Sequence, residues 1–315
     1  MHRAHARLRQ APPRRRARRA SRLRAEHRNR MNETLEAARE RNIRDALAED
    51  IGDGDWTGML VPDRERVRAR VLVREAAVLC GRDWFDGVVR ALDPAAKLDW
   101  QVAEGAWTKA DEAVVLIEAR ARALLAAERP ALNFIQLLSS TATITRRHVD
   151  AVAGASPRPE GCAILDTRKT IPGLRQAQKY AVRIGGGGNQ RMALWHGILI
   201  KENHIAAAGG VAQVLANARA LDAGVDIQIE VETLDQLRAA LAEGAKNVLL
   251  DNFDLARMRE AVAITAGRAL LEVSGSVQLD QLRAIAATGV DRISIGRLTK
   301  DVQAIDFSMR VIERV

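Results

Sequence analysis

Aromatic side chains are scarce, at 3% of the 315 residues, although 47% of the residues are hydrophobic. The core must therefore be aliphatic, built from Ala, Val, Leu and Ile. The two cysteines, Cys80 and Cys162, have no metal-site or redox spacing, so both are expected to be buried, reduced thiols of a cytoplasmic protein. No apolar run approaches the roughly 18 residues needed to span a bilayer. At 315 residues the chain can form one large α/β domain or two smaller ones.

The positive charge of the chain is concentrated in its first 30 residues. The whole chain carries a formal charge of +9, while residues 1–30 hold twelve arginines against the single acid Glu26, a net charge of +11. The remainder therefore carries a net charge of −2. A slightly acidic body argues against nucleic-acid binding as the main function of the folded part.

The basic segment 1–30 lacks a hydrophobic stretch, so it is not a secretory signal, and it cannot bury enough apolar surface to fold alone. Three interpretations are open: a disordered arm that contacts polyanions, a transit-like segment, or an upstream start codon. We favour the last, because the sequence MNETLEAARERNIRDALAED from Met31 reads at once as an ordinary folded beginning. The segment is therefore excluded from the fold prediction.

Residues 31–145 are predicted to form a first domain of mixed α+β type. Leu35, Ile43 and Leu47 mark the apolar face of a helix over residues 33–49, and a second helix is expected around residues 84–92. The predicted strands cover residues 67–73, 98–102 and 113–120. At Glu128-Arg129-Pro130 the sequence predicts the start of a new helix, because the N–H that proline lacks would be unpaired in a first turn anyway.

Residues 146–301 are predicted to form a second domain, because short apolar runs alternate there with amphipathic helical segments. The runs are CAILD (162–166), GILIK (197–201), IQIEV (227–231), NVLLD (247–251), LLEVSG (270–275) and RISIG (292–296). From the third run onward the spacing of roughly 20 residues suits a parallel sheet covered by helices. Because no glycine-rich dinucleotide fingerprint follows the first strand, six such units favour an incomplete (β/α) barrel over an open sheet.

Nearly every apolar run ends in a chemically capable residue. These residues are Asp166 with Arg168 and Lys169, Lys201, Glu230 and Glu232, Asp251 and Asn252, Glu272 and Ser274, and Gly296. Parallel barrels place their active sites at the C-terminal ends of the strands. Local salt bridges at solvated strand ends would explain any one residue. They do not explain five coinciding at one rim, because both signs of charge gathered there are costly unless a ligand or metal compensates them.

Residues 166–204 hold the densest set of cations. Those expected to face one ligand set are Arg168, Lys169, Arg191 and Lys201. Those expected to lie on a helix surface, facing away from the site, are Arg175, Lys179 and Arg183. Arginine matches carboxylate or phosphate bidentately and lysine supplies a point charge, so the ligand set should carry several negative charges. The glycine run 185–188 is expected to let the backbone pass close to that ligand.

Acids and small residues complete the predicted rim. Glu230 and Asp251 cannot bind anions directly, but they can hold a bridging divalent cation or accept hydrogen bonds from sugar hydroxyls. Their charge would also favour positive charge developing at an anomeric carbon. The SGS turn at residues 274–276 and Gly296 look like phosphate cradles, in which small residues let backbone N–H groups approach the ligand.

Long motifs in a fixed order make the chain resemble a known family. The motifs are DTRKTIPGLR, QKYAVRIGGGGNQR, LIKENHIAAAGG, IEVE, LLDNF, EVSGS and GVDRISIGRLTKD, with EDIGDGDWT and ERPALNFIQLLSSTAT in the N-terminal half. They closely resemble the quinolinate phosphoribosyltransferases over about residue 31 to the C-terminus; the arginine-rich segment has no counterpart. The resemblance implies that quinolinate and 5-phosphoribosyl-1-pyrophosphate give nicotinate mononucleotide, CO₂ and pyrophosphate in de novo NAD biosynthesis.

The resemblance also implies a fold, a cofactor and partners. The fold would be α/β, with an N-terminal α+β sandwich domain followed by an incomplete (β/α) barrel of type II phosphoribosyltransferase kind, and segment 302–315 is a candidate to return to the first domain. Mg²⁺ would be required, held through Glu230 or Asp251, with no direct ligand assigned. The partners would be the two substrates and a second subunit in a homodimer, or further copies in a hexamer, with no membrane and no nucleic acid as main partner.

Residue roles are carried over by motif. Lys201, Glu230 and Asp251 are the catalytic residues implied. The substrate-binding residues implied are Arg129, Thr167, Arg168, Lys169, Gln190, Arg191, Lys201, Glu230, Asp251, Ser274, Gly275, Ser276 and Gly296. Arg129 is expected to reach the partner subunit's site. One departure stands out: many members have histidine where this chain has Gln190, so Arg191 must supply the local positive charge.

Two other functions are weighed against this one. A paralogue of the same fold, such as the related protein found with molybdate transport genes, would use another acid. A polyanion-binding module whose arginine arm grips RNA would bind RNA in a salt-dependent manner that is lost on deleting residues 1–30. The second alternative leaves the charged rim unexplained.

Overall fold

The computed structural model describes residues 33–315, so the basic segment and its proposed start at Met31 lie outside the described residues. Its first part contains helix α1 (Leu35–Ile51), a 3₁₀ turn (Gly58–Leu60), strand β1 (Arg66–Val73), helix α2 (Arg82–Leu92) and strands β2 (Lys97–Trp100) and β3 (Glu112–Arg120). Thr34 begins α1 by accepting a hydrogen bond from the N–H of Ala37 at 3.1 Å, as an N-cap does. The helices and strands predicted before residue 121 are confirmed.

The first sheet is antiparallel and includes the last strand of the chain, β10 (Phe307–Arg314), in the strand order β10-β1-β3-β2. Strand β10 pairs with β1 from the Val73–Phe307 pair to the Val67–Arg314 pair. The C-terminal segment therefore forms an edge strand of the first sheet, although it is distant in sequence from β1. Helices α1 and α2 pack with this sheet around Trp84 and Phe85, both fully buried.

The helix expected to start at Glu128 begins seven residues earlier, so that prediction is wrong. Helix α3 runs from Ala121 to Val152, directly after β3, and Pro130 lies buried inside it. A proline within a helix forfeits one backbone hydrogen bond at a cost of about 3 kcal/mol. The preceding residues Ala121 to Ala127 are good helix formers that bury Leu124 in the core, so the helix continues through the proline.

The second sheet is parallel, with six strands in the order β4-β9-β8-β7-β6-β5. The strands are β4 (Ala163–Leu165), β5 (Gly197–Ile200), β6 (Asp226–Val231), β7 (Asn247–Asp251), β8 (Leu270–Ser274) and β9 (Arg292–Ser294). Each of the six apolar runs is therefore confirmed as a strand. β4 and β5 are the two edges of this sheet, and an isolated parallel bridge joins Leu165 of β4 to Gly188. The barrel is thus incomplete on this side, as predicted.

Helices connect the parallel strands and cover them. They are α4 (Arg175–Ile184), α5 (Glu202–Ala208), α6 (Val211–Ala220), α7 (Leu234–Ala242), α8 (Leu255–Thr265), α9 (Leu282–Ala286), after a 3₁₀ turn (Leu279–Gln281), and α10 (Arg297–Lys300). Side chains alternate between the two faces of a strand. In β6, Ile229 and Val231 pack in the aliphatic core, whereas the polar residues Gln228 and Glu230 take the other face. The face of β6 that is turned away from the aliphatic core therefore carries buried polar side chains.

Candidate functional site

A pocket of about 430 Å³ lies at the C-terminal ends of the parallel strands. Its lining includes nine residues predicted for the site, namely Thr167, Lys169, Lys201, Glu230, Asp251, Ser274, Gly275, Ser276 and Gly296. They come from the C-terminal ends of all six parallel strands. The structure therefore brings together cations, acids and two small-residue loops that are far apart along the chain. We call this the rim pocket.

Lys201 and Glu230 form the central ion pair of the rim pocket. The Lys201 Nζ lies 3.1 Å from both carboxylate oxygens of Glu230. Burial raises the pKa of Glu230, and the nearby charges of Asp251 and Glu202 raise it further, whereas Lys201 opposes the shift. Lys201 thus limits the rise in the pKa of Glu230, while its own side chain stays 46% exposed.

The backbone of Lys201 is fixed where strand β5 passes into helix α5. Its N–H donates to His204 Nδ1 at 3.0 Å, and His204 N donates to the Lys201 carbonyl at 2.8 Å. These reciprocal bonds satisfy polar groups that would be unpaired at the start of the helix. His204 is therefore a structural partner of Lys201 rather than a base in the pocket.

Asn252 shapes the pocket between Asp251 and the SGS turn. Its φ of 55° lies in the left-handed region, which asparagine tolerates better than most residues. Its Nδ2 donates to Asp251 Oδ2 at 2.9 Å, and its N–H donates to the Ser274 carbonyl at 3.2 Å. A Cβ on Gly275, where φ is 134°, would lie 2.7 Å from Asn252 Oδ1. Glycine is thus required for the turn to approach the Asp251 loop.

The loop after β4 packs directly against Gly296. A Cβ at Gly296 would lie 2.8 Å from Lys169 Cδ and 3.4 Å from Thr167 Oγ1. Thr167 Oγ1 accepts the Lys169 N–H at 3.1 Å, and Thr299 Oγ1 donates to the Lys169 carbonyl at 2.8 Å. This contact brings the lysine to the small-residue loop that the sequence assigned to a phosphate.

Arg168 and Arg191 do not line the rim pocket. Arg191 lines a second cavity of about 170 Å³ with Gln190, and its Nη1 donates to the Gly197 carbonyl at 3.0 Å. Burial lowers the pKa of Arg191, and the positive charge of Arg168 lowers it further. Arg168 Nη1 is buried and has no hydrogen-bond partner among the described residues. Two crowded guanidinium groups, one with an unused donor, are suited to an anion.

The strand-end pattern predicted Glu272 at the rim, and this prediction is wrong. Glu272 is fully buried inside the barrel. Gln190 Nε2 donates to both of its carboxylate oxygens, at 3.0 and 3.1 Å, and Arg292 Nε lies 2.9 Å from it. Glu272 lies two residues before the end of β8, one layer below the pocket residue Ser274. The carboxylate that Gln190 contacts in this structure therefore belongs to the chain itself.

Lys179 faces inward, so its assignment to a helix surface is wrong. Its side chain is 1% exposed and is paired with the fully buried Asp166. It also donates to the Gln190 carbonyl at 2.8 Å, while Asp166 accepts the Gln190 N–H at 2.9 Å. Arg175 is half-buried and donates to the Arg168 carbonyl, at 3.3 Å, so of the three helical cations only Arg183 is exposed as predicted.

The glycine run packs closely against other parts of the chain, and its predicted approach to a ligand stays a prediction. A Cβ at Gly185 would lie 2.6 Å from the Ala142 carbonyl oxygen in helix α3, and one at Gly187 would lie 2.8 Å from Thr145 Cγ2. The small residues thus let residues 185–188 lie flat on that helix and bring Gln190 and Arg191 to the open side of the barrel.

Arg129 lies away from both cavities in this chain. It is exposed on helix α3, and no hydrogen bond or ion pair joins it to another described residue. Leu125, one turn earlier, is 41% exposed, and the nearby loop carries Trp56 and Leu60, which are 79% and 82% exposed. Arg122 links this loop to the helix by donating to the Val61 carbonyl at 2.8 Å.

Metal-ligand and membrane features are sparse over residues 33–315. Within this range no group of three or more His, Cys, Asp or Glu side chains is arranged to hold a metal ion. The donor set at the rim pocket consists of the two carboxylates of Glu230 and Asp251. Across the same range no helix combines the length and the apolarity that a bilayer-spanning segment needs.

The rim pocket contains four polar residues that the sequence did not single out, namely Gln278, Ser294, Arg297 and Lys300. Arg297 and Gln278 both line it, and Arg297 Nη1 donates to Gln278 Oε1 at 2.5 Å across its two loops. The position of Arg297, directly after Gly296, was an available signal. Arg292, inside an otherwise apolar run, was a signal for the polar interior of the barrel.

Comparisons with known proteins agree across the chain. The C-terminal domain model of the quinolinate phosphoribosyl transferase family matches residues 141–310, and its N-terminal domain model matches residues 55–139. The chain is 39% identical over 285 residues to the nicotinate-nucleotide pyrophosphorylase [carboxylating] of Mycobacterium leprae, covering 87% of this chain and 97% of that protein. It is 38% identical over 264 residues to a probable enzyme of that name from Bacillus subtilis, covering 84% and 90%.

Solved structures give the same result. The nicotinate-nucleotide pyrophosphorylase from Francisella tularensis matches with a TM-score of 0.82 and 42% identity, covering 87% of this chain and 96% of that one. The human nicotinic acid phosphoribosyltransferase, at 15% identity and a TM-score of 0.57, is similar in fold alone.

Proposed function

The chain belongs to the quinolinate phosphoribosyltransferase family, and we propose that its rim pocket and the neighbouring arginines carry out that family's reaction. The reaction transfers phosphoribosyl from 5-phosphoribosyl-1-pyrophosphate to quinolinate. It gives nicotinate mononucleotide, CO₂ and pyrophosphate, a step of de novo NAD biosynthesis. The observation that supports this proposal is the convergence of Lys169, Lys201, Glu230, Asp251 and the small-residue loops on one pocket.

We assign the two ends of the site to the two substrates. The loops at residues 274–276 and Gly296 hold the 5-phosphate, because small residues let backbone N–H groups approach it. Lys201 and Arg191, with Arg168, hold the carboxylates of quinolinate, and Lys169 faces the pyrophosphate. These cations fix the pyridine nitrogen toward the anomeric carbon of the ribose.

No general base is required by this chemistry. The lone pair of the pyridine nitrogen forms the bond to the anomeric carbon while the bond to pyrophosphate breaks and pyrophosphate leaves. Glu230 and Asp251 favour the positive charge that develops on the ribose. The bond from C2 to its carboxylate then breaks and CO₂ leaves, because the new pyridinium stabilises the electron pair at C2, which takes a proton from water.

We propose that Glu230 and Asp251 would hold Mg²⁺. One or two carboxylates are what Mg²⁺ commonly takes from a protein when phosphates supply further oxygens. Glu230 and Asp251 lie in one pocket, and their mutual repulsion contributes to the raised pKa of Glu230, so a cation there would relieve it. Such a cation would supply positive charge to balance the charge on the departing pyrophosphate.

A direct assay tests the function. Purified full-length protein should release CO₂ and pyrophosphate when given quinolinate, 5-phosphoribosyl-1-pyrophosphate and Mg²⁺, and nicotinate should not replace quinolinate. A paralogue that uses another acid would show no release with quinolinate. Release without quinolinate, or none with it, would overturn the proposal.

We further propose a homodimer in which Arg129 enters the partner subunit's site. Within one chain Arg129 reaches neither cavity, although its side chain is exposed and free of polar contacts over residues 33–315. The exposed Leu125 of the same helix, with Trp56 and Leu60 of the neighbouring loop, offers apolar side chains that a second copy would cover. Further assembly of the dimers into a hexamer stays a prediction.

Mixing two inactive variants tests this sharing. Arg129→Ala and Lys201→Ala proteins should each be nearly inactive, because every site then lacks one cation. Co-expressed in equal amounts, they should recover about a quarter of wild-type activity, since half of randomly paired dimers are mixed and one of their two sites is intact. No recovery from a sample with proven mixed dimers would place Arg129 in its own subunit's site or outside any site.

We also propose a cytoplasmic location. Cys80 and Cys162 are both free and buried, as expected of a protein kept in a reducing compartment. Burial raises the pKa of Cys162 to about 12, so its thiol stays protonated and unreactive.

A further inference from the structure

A closed set of polar side chains fills the barrel one layer below the rim pocket. Its strand members are Gln228, Glu272 and Arg292. Each stands two positions before a residue that lines the rim pocket, namely Glu230, Ser274 and Ser294. Because alternate residues share a face of a strand, this layer forms a floor beneath the proposed site. No role was assigned to Arg292 by the sequence or by the proposed mechanism.

Arg292 supplies the cation that faces Glu272. Its Nε lies 2.9 Å from Glu272 Oε2, an ion pair in which the N–H does not point at the oxygen, and its Nη2 donates to Asn247 Oδ1 at 3.1 Å. Glu272 is completely shielded from water, while the Arg292 side chain is 24% exposed. A buried carboxylate without a counter-charge is strongly unfavourable, so some cation must remain at this position.

Gln190 has no amide hydrogen left for a ligand. Its Nε2 donates to Gln228 Oε1 at 2.8 Å and to both Glu272 oxygens, three acceptors for two hydrogens. Its Oε1 accepts the Arg191 N–H at 2.7 Å. Gln228 Nε2 closes the set by donating to Glu272 Oε2 at 2.9 Å. The amide of Gln190 therefore joins the buried carboxylate to the backbone of Arg191.

Arg191 and Arg292 line the same cavity of about 170 Å³, together with Asp226, His196 and Gln228. If Arg292 were absent, Glu272 would lose its counter-charge, and Arg191 would be the remaining arginine that lines this cavity. Its guanidinium, which now donates to the Gly197 carbonyl, would be drawn inward toward that charge. Arg191 would then pair with Glu272 and would no longer be available to bind the proposed acceptor, quinolinate.

We propose that Arg292 is a positioning residue that keeps Arg191 available to the acceptor by neutralising Glu272. This inference rests on the proposed function for the identity of the acceptor. Arg292 does not line the rim pocket, and its proposed action passes through Glu272, Gln190 and the backbone of Arg191. A purely structural ion pair would affect stability alone, and would not act on one substrate more than on the other.

The test compares Arg292→Met with the double variant Arg292→Met/Glu272→Gln. Arg292→Met should raise KM for quinolinate about tenfold or more, as loss of a charge-assisted contact does, while KM for 5-phosphoribosyl-1-pyrophosphate changes less than about twofold. Its melting temperature should fall by about 10 °C. The double variant removes both charges and keeps an acceptor for Gln190. Its KM for quinolinate and its melting temperature should therefore return most of the way to wild type.

The outcomes are separable. Equal rises in both KM values, an unchanged KM for quinolinate, or a double variant no better than Arg292→Met would overturn the inference. Should Arg292→Met not fold, Arg292→Lys and the double variant decide it, because each must keep KM for quinolinate within about threefold of wild type. If the wild-type protein releases no CO₂ from quinolinate, the proposed function fails instead. In that case the melting temperatures test only whether Arg292 neutralises Glu272. A double variant whose melting temperature does not recover would still overturn the inference.

Discussion

Replacing Lys201 by alanine is expected to lower kcat/KM for quinolinate by at least about 10²-fold while the protein stays folded. The ammonium group lies 3.1 Å from both oxygens of Glu230 and is half-exposed toward the rim pocket. Its loss removes a cation from the proposed carboxylate clamp. It also leaves Glu230 next to Asp251 without its cationic partner. The site then binds the carboxylates less well and holds the acids less well in place for the transition state.

The fold should tolerate this change. The bonds that fix this segment use the backbone N–H and carbonyl of Lys201, which donate to and accept from His204, and alanine retains both groups. Ion pairs that are partly exposed contribute little to stability, about 0–1 kcal/mol. The melting temperature of Lys201→Ala should therefore stay within a few degrees of wild type, since about 1 kcal/mol shifts a protein of this size by about 2–4 °C.

A matched control separates charge at the site from charge in general. Lys246 is an exposed lysine just before β7, at the opposite end of the barrel, and Lys246→Ala should keep near wild-type kinetics. Initial rates of quinolinate-dependent CO₂ release, with circular dichroism on the same samples, make the comparison. Wild-type turnover in a clean, folded Lys201→Ala sample would remove Lys201 from its assigned role.

The rim could be predicted because its signals are local. Each strand is an apolar run, and its last residues break that pattern with a polar or small side chain, as in NVLLD before Asn252. Parallel topology then forces these ends to one edge, so Lys201, Glu230 and Asp251 meet without any knowledge of long-range contacts.

Helix α3 shows where local signals fail. Pro130 fits the rule for a first turn, but the residues before it are strong helix formers joined to β3 without a turn signal. The burial of Pro130 and Leu124 against the first sheet decides the outcome, and such packing is a tertiary effect that overrides local preference.

Buried charge was the other feature that the sequence could not locate. Lys179 lies four residues from both Arg175 and Arg183, so periodicity puts all three on one stripe of helix α4. What distinguishes Lys179 is Asp166, its buried partner from the end of another element. The floor set was missed for the same reason, because Glu272 and Arg292 belong to different strands and only the sheet order brings them together.

Replacing Lys179 by methionine is accordingly expected to destabilise the protein by about 3–5 kcal/mol, the usual cost of removing one partner from a buried ion pair. Asp166 would keep the hydrogen bonds from Asn189 Nδ2 at 2.6 Å and from the Gln190 N–H at 2.9 Å, but would have no cation. The Gln190 carbonyl would lose its donor. In a chain of this size the melting temperature should fall by about 10 °C.

The destabilisation should also depend on pH in a defined direction. Burial raises the pKa of Asp166, and the ion pair with Lys179 opposes that rise. In Lys179→Met the opposition is gone, so the folded state holds a proton on Asp166 at pH values where the unfolded chain, with an ordinary pKa of about 3.9, does not. The free energy of unfolding of the variant must therefore fall as pH rises from about 4 through the raised pKa. The deficit relative to wild type is then smaller at pH 5 than at pH 7.

Urea unfolding of wild type and Lys179→Met at both pH values makes this measurement, with Arg183→Met as the control. Arg183 lies one turn further along the same helix but is exposed and contacts only the neutral Asn189 Oδ1, at 3.3 Å, among the described residues. Its replacement should change the free energy of unfolding by less than about 0.5 kcal/mol at either pH. Equal, small effects of the two substitutions would mean that Asp166 and Lys179 are not paired in the folded protein. A large deficit for Lys179→Met that does not shrink at pH 5 would show that lost packing, and not the unpaired carboxylate of Asp166, causes the instability.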